Sequence, residues 1–181
     1  MTGNDTKYAI LVPWIETDSG YALLLEVRSQ LVKQPGEVCF PGGRAEADES
    51  VIETAVRETC EELGIEPDDI DVISELKPLI MGDGRAVYPV SAKVHIKDIE
   101  SLVLSEDEVA EVFLLPERWL EENPPERYDL AEAPDENLPE KLLSYLSHYG
   151  EYRKTGKTDY YEYEGHGIWG LTARIIKKLG Y

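Results

Sequence analysis

A segment with helical periodicity, residues 50–63, constrains the fold more than any other part of the chain. Its apolar or β-branched positions recur at spacings of four, three and four, the period of one helix face, and are Ile52, Val56, Thr59 and Leu63. Ser50 and Glu53 form a capping-box pattern at its start, and Gly64 suits the left-handed residue that ends a helix. The sequence therefore predicts an amphipathic helix that packs this face against a sheet.

Another side of the same helix carries three carboxylates. Glu58, Glu61 and Glu62 stand at i, i+3 and i+4 and share an arc of about 100°. That arc points roughly 140° away from the apolar face, so the carboxylates are expected on the solvent side. Like charges so placed repel each other, and a hard divalent cation relieves the repulsion because it binds carboxylate oxygens. Taken alone, the pattern favours a solvated acidic face, with a metal site as the alternative that the residues before the helix decide.

Strand-like segments lie on both sides of this helix. Polar residues 17–20 join the first two, which predicts a hairpin. Residues 123–139 contain four prolines and many acids and are interpreted as an irregular surface insertion. The predicted strands are 7–15, 21–27, 38–40, 72–81, 87–96, 111–115 and an edge strand at 160–163, and the further predicted helices are 116–122, 138–148 and 168–179. This order predicts one α/β (α+β) domain over residues 1–181.

The composition restricts the function classes. The net charge of −19 opposes binding to nucleic acid or to an anionic membrane surface, because both need a basic protein surface. No apolar run approaches the ~20 residues that span a bilayer, and the polar first residues do not resemble a signal peptide. With only two cysteines, the chain is expected in a reducing cytoplasm. A small-molecule partner is expected, and a homodimer is kept open as the assembly.

The residues before and within the helix match a known motif. Residues 40–43 form a tight, glycine-rich turn, and Glu49 follows six residues after Gly43. The sequence resembles the Nudix box, Gly-x5-Glu-x7-Arg-Glu-U-x-Glu-Glu-x-Gly-U, where U is aliphatic. The matched residues are Gly43, Glu49, Arg57, Glu58, Glu61, Glu62, Gly64 and Ile65. Thr59 stands where an aliphatic residue is usual, and it lies on the predicted buried face.

The resemblance implies a fold and a chemistry. Nudix hydrolases are α/β/α sandwiches around a mixed sheet, and they use Mg²⁺ or Mn²⁺ to cut a diphosphate with an activated water. Carried over by position, the implied metal ligands are Glu58, Glu61, Glu62 and the carbonyl of Gly42. The implied supporting residues are Arg57 and Glu49, which hold the glutamates, and Gly43 and Gly64.

The resemblance also implies a general base from a loop beyond the box. Many Nudix enzymes recruit a further glutamate there, and residues 105–108 precede the predicted strand at 111–115. Glu108 is the first candidate and Glu106 the second, with Glu58 as the alternative. The remaining members of the predicted catalytic set are Glu62 and Arg57.

The residues before the box resemble the signature of coenzyme A pyrophosphatases. Residues 24–29 and 36–43 carry this resemblance, although Lys33 stands where arginine is usual and the spacer before residue 36 is one residue short. It implies hydrolysis of coenzyme A to 3′,5′-ADP and 4′-phosphopantetheine. Arg28, Lys33 and Arg44 are the nearby cations and therefore the candidates for binding its phosphates.

Two other functions stay open at this point. The chain is alternatively an ADP-ribose or dinucleotide pyrophosphatase, which would share the box and differ in the residues that bind substrate. A non-catalytic nucleotide-binding module is the second alternative, although such a module would not need all three glutamates. Aromatic residues near the C-terminus can stack an adenine, but packing in the core is the favoured interpretation for Trp169, Tyr160, Tyr161 and Tyr163.

Overall fold

The computed structural model describes residues 7–131, 137–149 and 156–181. Its strands are β1 (Tyr8–Thr17), β2 (Gly20–Arg28), β3 (Val38–Cys39), β4 (Gly42–Arg44), β5 (Ile70–Glu75), β6 (Leu79–Ile80), β7 (Ala86–Val94), β8 (Val109–Pro116), β9 (Glu126–Asp129), β10 (Lys157–Tyr163) and β11 (His166–Ile168). Its α-helices are α1 (Val51–Leu63), α2 (Glu117–Glu122), α3 (Glu140–Ser147) and α4 (Gly170–Leu179).

A mixed sheet forms the centre of the described part of the chain. Its main path runs β3-β2-β1-β7-β5, with β4 and β6 paired to β1 and β7 and with β8 paired to β2. The predicted hairpin is confirmed, because β1 and β2 pair antiparallel up to Thr17 and Gly20. Strands β1 and β7 run parallel, from Tyr8 opposite Val87 to Trp14 opposite Lys93.

Apolar side chains cover both faces of this sheet. One face packs with α4 through a cluster that includes Leu23, Leu25, Phe113, Leu115, Ala173, Ile175 and Ile176. The other face packs with α1 through a cluster that includes Leu11, Leu24, Val51, Ala55, Leu63 and Val90. Because side chains alternate along a strand, successive leucines of β2 fall into different clusters. The predicted α/β/α sandwich around a mixed sheet is confirmed.

The ends of α1 are as the sequence predicts. The Ser50 hydroxyl accepts a hydrogen bond from the Glu53 N–H at 3.2 Å, and the Ser50 N–H donates to the Glu53 carboxylate at 2.8 Å. At the other end Gly64 is left-handed, with φ 65°, and its N–H donates to the Cys60 carbonyl. These contacts satisfy backbone groups that the helix leaves free at its termini.

The prediction of which α1 side chains are buried was partly wrong. Thr59 and Leu63 are buried as predicted, whereas Ile52 and Val56 are only partly buried and pack against the cluster. The helix is therefore rotated relative to the prediction, and the other buried residues are Val51, Thr54, Ala55 and Glu62. A threonine can be buried on this face because its hydroxyl donates a hydrogen bond within the helix, as the Thr59 hydroxyl does to the Ala55 carbonyl at 2.7 Å. Glu62 is consequently buried and not on the solvent side.

Five further predictions need correction. The glycines of the predicted turn form β4, which pairs with β1, and the predicted strand 72–81 is two short strands, β5 and β6. The predicted insertion 123–139 contains β9, and its residues 132–136 lie outside the described residues. Residues 160–163 belong to β10, which is the middle strand of a β11-β10-β9 sheet and not an edge. The last predicted helix begins after β11, at Gly170.

The lengths and hydropathies of the helices in the described residues bear on whether they could cross a membrane. None of them is long and apolar enough to cross a membrane.

Gly64 offers a test of how tightly the end of α1 packs. A Cβ at Gly64 would lie 2.4 Å from the Val103 carbonyl oxygen, and a left-handed conformation by itself costs a residue with a Cβ roughly 1–2 kcal/mol. We expect Gly64→Ala to lower the free energy of unfolding, measured by urea denaturation, by more than roughly 2 kcal/mol. Gly165→Ala is the matched control, because Gly165 has φ 81° and open space around it. Equal losses in both variants would contradict the close packing.

Candidate active site

The Gly42–Gly43 turn lies directly against two carboxylates of α1. The Gly42 N–H donates to Glu62 Oε2 at 2.7 Å, and a Cβ on Gly43 would lie 2.3 Å from Glu58 Oε2. Gly42 has φ 141°, and a Cβ there would meet the Ala9 carbonyl at 2.4 Å. Only glycine therefore allows this turn to pair with β1 and to approach the helix at the same time.

Glu62 is the most buried of the three predicted glutamates, at 6% exposure. Its pKa is raised to about 8, mainly by burial; the charges of Glu108 and Glu58 act in the same direction, and the hydrogen bond from the Gly42 N–H and the charge of Arg28 oppose them. A carboxyl whose charged form is this unfavourable is stabilised by any cation that enters the site. The three mutually repelling acids thus form an environment that favours a bound positive charge.

Arg57 distributes one guanidinium among several acids. It contacts Glu49 at 2.7 Å, Glu58 at 2.9 Å and Glu61 at 3.0 Å, and it also donates to the Arg44 carbonyl at 3.2 Å. The hydrogen bond from Arg57 is the main cause that lowers the pKa of Glu49 to about 2. Arg57 and Glu49 therefore have the contacts that the predicted holding role requires. Glu61 is the outermost of the set, with a side chain 60% exposed.

The loop that carries the candidate bases is fixed from two directions. The Ser105 N–H donates to the Glu62 carbonyl at 2.9 Å, which joins the loop to α1. Ser29, at the end of β2, donates its N–H to the Glu108 carbonyl at 2.9 Å and its hydroxyl to the Asp107 carbonyl at 2.6 Å. Glu108 lies near enough to raise the pKa of both Glu62 and Glu58. Glu106 is exposed on the same loop.

A cavity of about 230 Å³ opens beside the turn. It is lined by residues that include Arg28, Cys39, Phe40, Gly42, Gly43 and Trp169. Of the three predicted phosphate-binding cations, Arg28 is the one that lines it, and its Nε donates to the Lys33 carbonyl at 2.8 Å. The side chains of Lys33 and Arg44 are exposed. A cation and the glycine turn therefore face one cavity, next to the carboxylates.

Sequence reasoning missed two parts of this site. Glu26 on β2 is only 1% exposed, and its pKa is raised by burial and by the charge of Glu62. Its signal was present, because an acid interrupts the otherwise apolar run of β2. Tyr149 is the other missed residue, and it lines the cavity together with Trp169, which is also buried in the cluster around α3, as its core interpretation predicted. Tyr160 and Tyr161 are buried.

Comparison with known proteins agrees with this geometry. A family model described as the NUDIX domain matches residues 5–146. The Nudix hydrolase NudL of Photorhabdus laumondii is 32% identical over 99% of this chain and 86% of its own length. The chain belongs to the Nudix hydrolase family.

Other Nudix relatives carry more specific names. The human mitochondrial coenzyme A diphosphatase NUDT8 is 34% identical over 93% of this chain and 66% of its own length. The mouse peroxisomal coenzyme A diphosphatase NUDT7 is 36% identical over 62% of this chain. The chain spans about half the length of NUDT7 and of the Caenorhabditis elegans Nudix hydrolase 3, 48% in each case.

Solved structures share the Nudix fold. DR0079 from Deinococcus radiodurans superposes with a TM-score of 0.55 at 14% identity, over 97% of this chain and 83% of its own. The Mycobacterium smegmatis Nudix hydrolase RenU superposes with a TM-score of 0.54 at 21% identity, over 65% of this chain and 74% of its own. At these identities the likeness concerns the fold alone.

Nudix hydrolases generally use divalent metal ions, and the box residues fit one. In the part of the chain that the structure describes, no three His, Cys, Asp or Glu side chains are already gathered into a metal cage, and Arg57 pairs with Glu58 and Glu61 instead. The donor chemistry is nevertheless suitable, because carboxylate oxygens are hard ligands and Glu62 is buried among like charges. Glu58, Glu61 and Glu62 would hold the ion. The predicted ligand role of the Gly42 carbonyl stays a prediction.

Arg57 provides a test of the holding role. We expect Arg57→Ala to reduce divalent-ion affinity and turnover by roughly 10- to 100-fold, because residues that orient metal ligands typically contribute that much. Arg118→Ala is the matched control, since Arg118 also pairs with a glutamate four residues later but is 81% exposed. Titration with Mn²⁺ measures the first quantity and steady-state kinetics the second. If both variants behave alike, Arg57 is an ordinary surface ion pair.

Proposed function

We propose that this chain is a divalent-metal-dependent hydrolase that cleaves coenzyme A to 3′,5′-ADP and 4′-phosphopantetheine. The observation that carries the proposal is the cavity shared by Arg28 and the Gly42–Gly43 turn, which opens beside Glu58 and Glu62. A coenzyme A molecule held here would place its diphosphate at the acidic metal site and its 3′-phosphate at Arg28. Nudix hydrolases act on small-molecule nucleotide substrates, which agrees with such a ligand.

The residues around the cavity have distinct tasks in this proposal. Arg28 pairs with an oxygen of the 3′-phosphate, for which a planar guanidinium is suited by its paired N–H groups. Glu58, Glu61 and Glu62 hold Mg²⁺ or Mn²⁺, and Arg57 keeps two of them in place. The ion, when bound, offsets phosphate charge and makes water a better nucleophile at neutral pH.

The last task in this proposal is the transfer of a proton. Glu108 takes it from the attacking water, since its loop is fixed to both α1 and β2.

The relatives support a pyrophosphohydrolase and favour this substrate. NUDT7 and NUDT8 are named coenzyme A diphosphatases, and the match to NUDT8 extends over 93% of this chain. One observation favours the alternative, ADP-ribose or dinucleotide hydrolysis. Lys33 and Arg44 are exposed and do not line the cavity, so among the described residues no second cation is in place beside Arg28 for the 3′-phosphate of coenzyme A. Coenzyme A needs Arg28 or Lys33 to bind its 3′-phosphate, whereas ADP-ribose has no such phosphate and does not.

Substrate kinetics with the Arg28→Ala variant test this choice. A charge-assisted hydrogen bond contributes roughly 1.5–3 kcal/mol, or about ten- to a hundredfold in kcat/KM. We expect the wild type to prefer coenzyme A over dephospho-coenzyme A by that order and Arg28→Ala to reduce the preference. Lys33→Ala tests the neighbouring cation in the same way. Arg127→Ala is the control, because Arg127 is 61% exposed on the second sheet.

Two results would refute the coenzyme A proposal. One is equal cleavage of coenzyme A and dephospho-coenzyme A by the wild type. The other is turnover of ADP-ribose or diadenosine polyphosphates with coenzyme A left intact. Absence of turnover on the whole panel with Mg²⁺ and Mn²⁺ present would favour the binding module instead.

Substitution of the two loop glutamates, Glu108 and Glu106, distinguishes a general base from an acidic surface residue. Loss of a general base typically lowers the rate 10²- to 10⁴-fold, so we expect Glu108→Gln to lower kcat by that factor. Glu106→Gln removes the same charge from the same exposed loop, and we expect less than a tenfold loss. The readout is kcat at saturating substrate and metal. A larger loss in Glu106→Gln would make Glu106 the base, and a small loss in both would leave the role to Glu58.

A further inference from the structure

Glu26 lies on the face of the sheet that packs against α1. Side chains alternate along a strand, and Leu23 and Leu25 belong to the cluster on the α4 side, whereas Leu24 belongs to the cluster on the α1 side. Glu26, two residues after Leu24, therefore points to the side from which Glu58 and Glu62 approach. Its pairing partner on the adjacent strand β8 is Val112, which also packs on the α1 side.

The Glu26 carboxylate is buried without adequate partners. Its side chain is 1% exposed, and its Oε1 has no hydrogen-bond partner among the residues that the structure describes. The nearest donor to Oε2 is the Cys39 thiol, with a sulfur–oxygen distance of 4.0 Å, and thiols are weak donors. A buried carboxylate in this state is unfavourable unless a charge or a hydrogen bond compensates it.

The surroundings of Glu26 show which compensation is missing. After burial itself, Glu62 is the largest influence that raises the pKa of Glu26, and Glu108 raises it further. Arg28 acts in the opposite direction, but its Nε is engaged by the Lys33 carbonyl and its Nη1 points to the Cys39 sulfur. The acids that act on Glu26 thus lie on α1, in Glu62, and on the loop of residues 105–108, in Glu108.

We propose that Glu26 is a further carboxylate ligand of the divalent ion, added by β2 to the glutamates of α1. This inference rests on the metal dependence of the proposed function. An ion bound between β2 and α1 would occupy the unpartnered oxygen of Glu26 and neutralise its repulsion with Glu62. It would also connect the ion to the strand that ends in Arg28, so that metal and phosphate-binding cation share one rigid support.

Mn²⁺ binding without substrate tests the proposal directly. Free Mn²⁺ is followed by its electron paramagnetic resonance signal during titration of wild type, Glu26→Gln and Glu75→Gln. Glu75→Gln is the matched control, because Glu75 is exposed on β5 and its loss changes the net charge equally. We expect Glu26→Gln to bind Mn²⁺ at least tenfold more weakly and Glu75→Gln to stay within twofold of the wild type. Equal affinities in the two variants would overturn the proposal.

Thermal unfolding distinguishes a ligand from a structural residue. Without metal, Glu26→Gln should unfold at the same temperature as the wild type or higher, because an uncompensated charge is removed. With saturating Mn²⁺ the wild type should gain more stability, and each tenfold difference in affinity corresponds to about 1.4 kcal/mol. A variant that is destabilised without metal but gains as much from Mn²⁺ as the wild type would show a structural role and overturn the proposal.

Two further outcomes keep the result decisive. If Glu26→Gln does not fold, Glu26→Asp replaces it, since aspartate keeps the charge and retracts the oxygens by one methylene. Weaker Mn²⁺ binding by Glu26→Asp supports the proposal, and unchanged binding overturns it. Failure of the wild type to bind Mn²⁺ would remove the metal from the proposed function, whereas normal turnover and binding in Glu26→Gln would remove this inference alone.

Discussion

Glu62 Oε2 accepts a hydrogen bond from the Gly42 N–H, and this contact closes α1 onto the glycine turn. The same residue accepts the Ser105 N–H with its backbone carbonyl and so also anchors the loop that carries Glu108. Glu62, near the end of α1, thus sets the relative positions of the helix, the glycine turn and the loop of residues 105–108. Gly64 makes this arrangement possible. It follows Leu63, the last residue of α1, and without a side chain it lets the backbone pass close to Val103.

Electrostatics explains how a strongly acidic chain can hold an anionic substrate. A net charge of −19 repels a diphosphate at a distance, so attraction has to come from cations at the site itself. Arg57 is committed to Glu49, Glu58 and Glu61, so the proposed function assigns the phosphates to Arg28 and a metal ion. Salt screens exposed charges much more than buried ones, so the distant surface acids weaken the attraction of the local cations less than the net charge suggests. The acidic surface then contributes to solubility without controlling the chemistry.

Local signals made the box helix and its caps predictable from sequence. Ser50, Glu53 and Gly64 act within one turn of chain, and their contacts are those that the sequence pattern implies. The rotation of α1 was not predictable in this way, because it depends on which side chains the sheet can accommodate. Periodicity favoured Ile52 and Val56 together with Thr59 and Leu63, but the sheet also accepts Ala55 and Glu62. Burial of Glu62 is possible because its carboxylate accepts the hydrogen bond from the Gly42 N–H.

Long-range pairing was the other limit on prediction. Glu26 reads as an interruption of an apolar strand until the fold brings α1 and the base loop to the same face. In the same way β9 lies in a segment rich in proline and acids, and its pairing with β10 joins residues about thirty positions apart, such as Glu126 and Tyr160. Neither neighbour can be inferred from the local sequence, because both depend on contacts far along the chain.

The residues that line the cavity come from two parts of the chain, one inside the segment that matches the family model and one beyond it. The family match ends at residue 146, and it includes the glycine turn and the box glutamates. Part of the cavity wall lies beyond that limit, in Tyr149, Trp169 and Thr172, and the Thr172 hydroxyl fixes α4 to β3 by donating to the Val38 carbonyl at 2.9 Å. The Gln34 amide donates to the Tyr149 hydroxyl, which joins the loop after β2 to the same wall. Chains with the same box can therefore differ in substrate, because the residues that shape the cavity lie partly outside the segment that defines the family.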